Sequence, residues 1–246
     1  IRDAETINLE LIFSDFELIE KALDKVRKKA KADKELQLEV ALLERVLEAL
    51  GQGKSARSVS MTDEEKLMLK SYQLLSSKPI IYVANVSEED ASNDGADNPH
   101  VAKVLEFAKE ENAAAVVISA QIEAEISTLD DADKKEYLEM IGLSQSGLDK
   151  LIVASYDLLG LMSFLTTGEI ETRAWTIKKN TKAVDAAGKI HSDIARGFIR
   201  AEIISYDDLV ANEGSMVKAK EKGLVRLEGK DYLMQDGDIV HFRFNV

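Results

Sequence analysis

Two short stretches carry side chains able to read a small ligand. Asn85 and Glu88 stand at the end of the apolar run Ile80-Ile81-Tyr82-Val83-Ala84, and Ser119-Ala120 closes the next such run, Ala113 to Ile118. An amide both donates and accepts hydrogen bonds, whereas a carboxylate only accepts. Placed together they can match the polar edge of a planar ring. The chain has no Cys, which removes thiolate chemistry, and its three His residues, His100, His191 and His241, are widely separated.

The elements that must position these residues follow from the pattern. Five large or β-branched apolar residues entered through Pro79 predict a strand buried on both faces of a parallel sheet. Ligands of such sheets bind beyond the carboxyl ends of the strands, where Asn85 and Glu88 stand. Pro99 to Glu111 reads as the crossover helix, with Asn98 as N-cap and Pro99 in the first turn. Two consecutive strand ends then form the two halves of one pocket.

Asn85-Val86-Ser87-Glu88 resembles the base-reading motif of the GTPases, Asn-Lys-x-Asp, with Val86 at the Lys position and Glu88 at the Asp position. Adenine offers a ring-nitrogen acceptor where guanine offers two donors, so a carboxylate placed for guanine faces an adenine lone pair. The altered motif resembles one for ATP. Ser119-Ala120 resembles the Ser-Ala element that closes on the base. The sequence holds no Gly-x-x-x-x-Gly-Lys-[Ser/Thr]. Gly51-Gln52-Gly53-Lys54-Ser55 has too few residues between its glycines and follows a heptad helix instead of a strand, which rules it out as a phosphate loop.

Composition bounds the rest. With 246 residues the chain can bury a full core, and more than one domain is expected. Lack of Cys fits a reducing compartment, and no run of about eighteen apolar residues exists. A soluble, cytoplasmic protein without a membrane partner is the expectation. The net charge of −13 is uneven: residues 1–77 carry −2, residues 78–164 carry −11, and residues 165–246 are neutral. Only the middle segment is thereby set against nucleic acid.

Leu9, Ile12, Phe16, Ile19, Leu23 and Val26 fall at alternating spacings of three and four, and Leu36, Val40, Leu43, Leu47 and Leu50 repeat the pattern up to Gly51. These seams predict an antiparallel coiled-coil hairpin. Its tip holds Lys25, Arg27, Lys28, Lys29, Lys31 and Lys34, with Asp33 the N-cap of the second helix. Cations suit a helix C-terminus, and clustered cations on a projecting arm also reach phosphate backbones.

Thr62-Asp63-Glu64-Glu65 predicts a capped helix start, and Asp130, Asp131 and Asp133 read as a helix cap instead of a metal site. Glu123 and Glu125 are expected to face solvent, and Gly147 to open a helix reaching Leu159. Beyond it, strands are expected at Arg173–Ile177, Phe198–Ile204, Leu224–Leu227, Asp231–Met234 and Ile239–Phe244, with a helix from Val184 to Ile190. A small mixed sheet crossed by one main helix is a β-grasp arrangement.

These stretches together resemble the YchF/Obg-like ATPase family. Gly168 to Thr176, Ala187 to Asp193, Arg196 to Glu202 and the terminal His241 to Val246 resemble its C-terminal TGS domain, and Ile1 to Asn8 resembles the start of its helical insertion. The resemblance implies an α/β fold: part of a P-loop NTPase parallel sheet, an inserted antiparallel coiled-coil hairpin and a C-terminal β-grasp (TGS) domain. The implied division is a helical insertion over 1–77, the C-terminal part of the nucleotide-binding domain over 78–164 and the TGS domain over 165–246.

The implied base-binding residues are Asn85 bracing the loop, Val86 meeting adenine through its backbone, Glu88, and Ser119 with Ala120 backing the ring. The family's ATP and Mg2+ would be held by residues preceding Ile1. ATP hydrolysis is therefore expected of the intact protein and not of this chain alone. Sheet strands preceding Ile1 would leave an open edge here, so the isolated chain is expected to be marginally stable or to dimerise. The implied partners are an adenine nucleotide and the ribosome or RNA, without DNA specificity. Candidate RNA contacts beyond the tip are Arg173, Lys178, Lys179, Lys182, His191, Arg196 and Arg200, with Trp175 a stacking surface. The alternative is a non-enzymatic module that holds RNA or protein through the tip and the TGS sheet.

Overall fold

The computed structural model describes residues 1–30, 33–168 and 171–245, and the chain forms two compact units, Ile1–Leu151 and Ile152–Val246. Lys31 and Val246, and positions 169 and 170 within the stretch Gly168 to Thr176, lie outside the described residues.

The first unit opens with helices α1 (Arg2–Lys29) and α2 (Lys34–Gly51). Arg27 pairs with Glu44 at 2.7 Å, while a side chain at Gly51 would meet Phe16, so the two run antiparallel as the heptad spacing predicts. Asp33 Oδ1 accepts from the Leu36 N–H at 3.5 Å, in the expected capping position. The buried stripe is wider than a two-helix seam. Leu42 and Val46, off the expected seam, are fully buried, because α2 packs against α1 and also against Ala56 and α3 (Asp63–Lys70). Thr62 and Glu65 form the expected capping box of α3.

The α/β part of this unit pairs β1 (Ile81–Asn85) with β2 (Ala114–Ile118) in parallel, and α5 (Pro99–Glu110) makes the crossover. Asn98 caps α5 and Pro99 begins it, as the sequence predicts. β1 is not buried on both faces. Among the described residues only β2 pairs with it, so of its side chains only Ala84 is buried and Val83 stays 44% exposed. Short helices α4 (Glu88–Ala91), α6 (Ala120–Ile126) and α7 (Asp131–Met140) follow the strands, then α8 (Gly147–Leu158). Asp130 caps α7 by accepting from the Ala132 and Asp133 N–H groups at 3.0 Å each.

The second unit is a five-stranded mixed sheet in the order β4-β3-β7-β5-β6. Its strands are β3 (Leu161–Thr167), β4 (Thr172–Lys178), β5 (Phe198–Ile204), β6 (Arg226–Glu228) and β7 (Ile239–Phe244). β3 was not expected. Its Met162 and Phe164 alternate toward the core, but the apolar run Leu158-Leu159-Gly160-Leu161 blurs the change from helical to strand period. The expected strand Asp231–Met234 is absent as an element, because only Leu233 bridges to Lys182. The strand at Leu224–Leu227 is displaced to Arg226–Glu228.

One face of the sheet packs Phe164, Ile177, Ala201, Ile203, Val240 and Phe242 against α9 (Ala183–Ile190) and α10 (Ser192–Arg196). Burying a Phe or Ile side chain contributes roughly 1.5–3 kcal/mol, so this cluster dominates the unit. Part of the opposite face is covered by α11 (Tyr206–Ala211) and α12 (Met216–Glu221) through Leu209 and Ala219 on Ile204 and Ile239. Gly197 is required here, since a Cβ would meet the Asn245 carbonyl at 2.0 Å.

Candidate functional site

The parallel register places Asn85 opposite Ile118, so the chain leaves both strands at one level and the two loops meet. Asn85 Oδ1 accepts a hydrogen bond from the Ala120 N–H at 2.9 Å. The Val86 N–H donates to the Ile118 carbonyl at 2.9 Å, and the Val86 side chain packs into both neighbouring clusters, around Ala91 and around Ala84. Ser87 caps α4, which places Glu88, exposed, as the first residue of that helix. Ser119 is buried and its hydroxyl has no hydrogen-bond partner among the described residues. All five residues singled out by the strand-end argument therefore gather at one end of the β1–β2 pair.

The surrounding acids divide differently from expectation. Glu123 is half-buried and caps α8, accepting from the Gly147 N–H at 2.6 Å and the Leu148 N–H at 3.3 Å. A carboxylate at a helix N-terminus satisfies orphan donors and complements the helix dipole. Gly147 sits so close to β2 that a Cβ would meet Ile118 at 2.8 Å. Glu125 accepts from the Tyr137 hydroxyl, and that hydrogen bond pushes the phenol up to about 12.

At the other end of β1 a polar network escaped sequence reasoning. Tyr82 donates to Glu111 at 2.7 Å, Arg57 pairs with the same carboxylate at 2.8 Å, and the Asn8 amide donates to the Tyr82 hydroxyl at 2.8 Å. Burial, opposed by Asn8 and reinforced by Glu111, pushes the Tyr82 phenol up. Asn8, Arg57 and Glu111 line a cavity of about 740 Å³ that also takes in Lys54, Ser55 and Phe107. The one available signal was Tyr82 itself, a hydroxyl inside an otherwise apolar strand.

The near-miss glycine segment cannot cradle phosphate. Its Gly53 and Lys54 N–H groups bond to the Leu50 and Ala49 carbonyls, closing the end of α2. Donors used on a helix terminus are not available to an anion. Among the described residues, this segment therefore supplies no loop for a phosphate. Among them, no group of three or more His, Cys, Asp or Glu gathers as a metal site, and no helix is long and apolar enough to cross a membrane.

The candidate RNA contacts fall into two sets. At the tip of the hairpin Lys25, Lys28 and Lys29 are exposed and have no ion pair among the described residues, while Arg27 is held by Glu44. In the second unit the cations are mostly engaged. Lys179 pairs with Asp157 at 2.8 Å, Lys182 with Asp231 at 2.7 Å, Arg196 with Asp193 at 2.9 Å and Arg200 with Glu202 at 3.7 Å. Lys178 donates to the Leu159 carbonyl at 2.7 Å, and His191 Nδ1 accepts from the Asp193 N–H. Arg173 lies over the Trp175 ring at 4.3 Å, and Trp175, half-buried against the core, donates to Thr166 at 2.9 Å.

A parallel strand pair whose loops meet at its carboxyl ends, carrying a helical hairpin and joined to a second mixed-sheet unit, defines an α/β protein with mixed sheets. Residues 161–245 match the family model YchF-GTPase_C, described as a protein of unknown function. The chain is 53% identical over 247 residues to the ribosome-binding ATPase YchF of Bacillus subtilis, covering 100% of this chain and 67% of that protein. It is 44% identical to the protein of the same name from Haemophilus influenzae, covering 99% and 66%. The solved structure of the Schizosaccharomyces pombe YchF GTPase superposes with a TM-score of 0.81 at 31% identity, over 98% of this chain and 65% of that one. A GTP-binding protein from Pyrococcus horikoshii, at 21% identity and a TM-score of 0.59, shares the fold. The chain belongs to the YchF family, and it spans about two thirds of the length of these curated relatives.

Proposed function

We propose that this chain supplies the base pocket, the helical hairpin and the C-terminal domain of a ribosome-associated P-loop ATPase that prefers adenine nucleotides. The reading rests on one observation above the others: the Asn85 side chain locks the loop after β1 to the Ala120 backbone after β2. In it Asn85 braces the pocket and leaves its amide N–H groups toward the ligand. Val86 has spent its N–H on Ile118, so its carbonyl is the backbone group for the adenine amino donor. Ser119 and Ala120 back the ring, with the buried Ser119 hydroxyl able to turn toward it. Glu88 stands at the position that would otherwise read guanine.

Hydrolysis in this reading belongs to a larger protein, whose Mg2+ and phosphate-binding residues this chain does not contain. Residues 1–77 act as a helical coiled-coil insertion, 78–164 as the C-terminal part of the nucleotide-binding domain and 165–246 as a β-grasp domain of the TGS type. Relatives named ribosome-binding ATPase favour the adenine reading, whereas two solved relatives carry GTP in their titles. Equilibrium competition between ATP and GTP on the intact parent separates the two. Tighter binding of GTP would overturn the adenine assignment.

A second reading, of a non-enzymatic module holding ribosomal RNA or protein, is favoured by the exposed Lys25, Lys28 and Lys29 at the hairpin tip, which have no ion pair among the described residues. Ribosome co-sedimentation of this chain without nucleotide tests it directly. A chain that fails to co-sediment excludes the module and leaves the ATPase part.

A further inference from the structure

The face of the five-stranded sheet that α11 and α12 partly cover holds a charge arrangement that neither the base loop nor the hairpin tip uses. Antiparallel pairing of β5 with β7 sets Glu202 opposite His241 and Arg200 opposite Arg243, all on the face away from the Phe164 cluster. α12 brings Lys220 over the same spot. The Glu202 side chain is only 4% exposed and receives Lys220 Nζ at 2.7 Å, Arg243 Nε at 3.1 Å and Arg243 Nη2 at 3.3 Å. Arg200 Nη2 lies 3.7 Å away. One buried carboxylate has gathered three half-exposed cations.

That ratio leaves positive charge over, and the nearby acids do not cancel it. Glu228 faces Arg226 and Glu213 is paired with Lys218. Beside the cluster opens a cavity of about 130 Å³ lined by Glu202, Lys220, His241, Arg243 and Thr167. A liquid water takes about 30 Å³, so a tetrahedral oxyanion fits with a water or two. Arg243 uses only Nε and Nη2 on Glu202, and the Lys220 ammonium has donors to spare. Burial pushes the His241 imidazole down, and Arg243 adds to it, so at neutral pH this ring contributes a neutral N–H donor.

We propose that this cavity binds a phosphate-type oxyanion, either free or as a phosphodiester of RNA. Glu202 acts as the positioning residue: it fixes two flexible cations in advance, which removes most of the ordering cost that a surface Lys or Arg meets on binding an anion. The guanidinium then offers paired N–H donors to two oxygens and the ammonium offers a point charge to a third. The site owes nothing to the adenine reading, because its residues lie in the second unit and those of the base loop in the first.

The test is NMR on the whole chain, following the Arg243 Nε–H and His241 ring signals at fixed ionic strength. Inorganic phosphate and a single-stranded oligouridylate are titrated separately, with chloride as the control. Saturable shifts with either phosphate source are expected, weakened at least tenfold in Arg243→Gln and in Lys220→Gln and unchanged in Arg226→Gln and Asn85→Ala. Arg200→Gln, at an exposed cation that leaves Glu202 its two close partners, should weaken binding about threefold and keeps the proposal testable if the closer substitutions unfold. An oligouridylate binding at least tenfold tighter than phosphate, and displaced by it, identifies the RNA backbone. Equal affinities identify a free anion. Shifts no larger than those with chloride, or binding unaltered in folded Arg243→Gln and Arg200→Gln chains, overturn the site.

Discussion

Asn85 reaches across the ends of two parallel strands to the Ala120 backbone N–H, 2.9 Å from its side-chain oxygen. The contact ties together loops thirty-five positions apart in sequence, and it turns two strand ends into one rigid edge. Because the amide is fixed by its oxygen, its nitrogen is the end presented outward.

Replacing Asn85 by Ala removes that brace. Ala120 is exposed, so water can take over its N–H, and the loss of folding stability should be modest, about 1 kcal/mol by urea denaturation. Adenine-nucleotide affinity of the intact family protein carrying this change should fall at least tenfold, measured by calorimetry. Unchanged affinity would remove Asn85 from the pocket.

Asp15 provides a second test, at a residue with no ligand role. It is 2% exposed on α1 and accepts from the Leu75 N–H at 2.8 Å and the Ser76 N–H at 2.6 Å. The Ser76 hydroxyl in turn accepts from the Ala56 N–H at 3.0 Å. Asp15→Ala strands two backbone donors beneath the hairpin and should cost roughly 3 kcal/mol. Asp15→Asn, which keeps one acceptor, should cost less. Equal losses for the two would mean that packing, not the acceptor count, governs the position.

Local signals in the sequence were reliable where the physics is local. Thr62 with Glu65, Asn98 with Pro99, and Asp130 all cap helices as their types predict. The parallel pairing of β1 with β2 followed from two apolar runs and one helix between them. What the pattern could not reveal is which polar residue would be buried by partners far along the chain. Asp15 sits on the buried stripe between Ile12 and Ile19, but the donors that make burial tolerable come from Leu75 and Ser76. Glu202 lies in an apolar run and needs Lys220 and Arg243. The expected burial of β1 failed for a related reason, since it depends on how many strands lie beside it, and only β2 does among the described residues.

The Tyr82 network links α1, the Ala56–Ser58 turn and α5 through one carboxylate, Glu111. Arg57 and Glu111 are largely shielded, with side chains 17% and 27% exposed. A double-mutant cycle with Arg57→Ala and Glu111→Gln should give a coupling of about 1 kcal/mol, above the value of an exposed pair. Additive losses would reduce the contact to independent surface groups.

Glu202 makes the stability of the second unit depend on acid. Burial alone would raise its pKa, but hydrogen bonds from Arg243 and Lys220 outweigh that and hold it at about 2, against 4.5 unperturbed. A depressed carboxylate contributes stability that is complete above the unfolded value and is lost as pH falls from there through about 2. The contribution is on the order of 3 kcal/mol. Trp175, the single Trp of the chain, reports unfolding of this unit by fluorescence. Urea midpoints should fall between pH 5 and pH 2.5, and Glu202→Gln should flatten that decline while lowering stability at pH 7. A mutant with the same acid slope as the parent would assign the slope to other carboxylates.

The hairpin tip separates affinity from stability most cleanly. Lys28 and Lys29 occupy the last turn of α1, where a cation gains about 0.3–1 kcal/mol from the helix dipole. Neither has an ion pair among the described residues, so their reversal to Glu should lower the melting point only slightly. Each phosphate contact they make, however, releases counterions, and losing two such contacts should flatten the dependence of log affinity on log salt by about two. Co-sedimentation with ribosomes at 50 and 200 mM salt, taken here as roughly the range over which such contacts are resolved, therefore distinguishes two origins of weaker binding. A loss concentrated at low salt, with an intact helix by circular dichroism, places the tip on RNA phosphates. Binding unaltered at both salts would make the cluster a helix-end feature and nothing more.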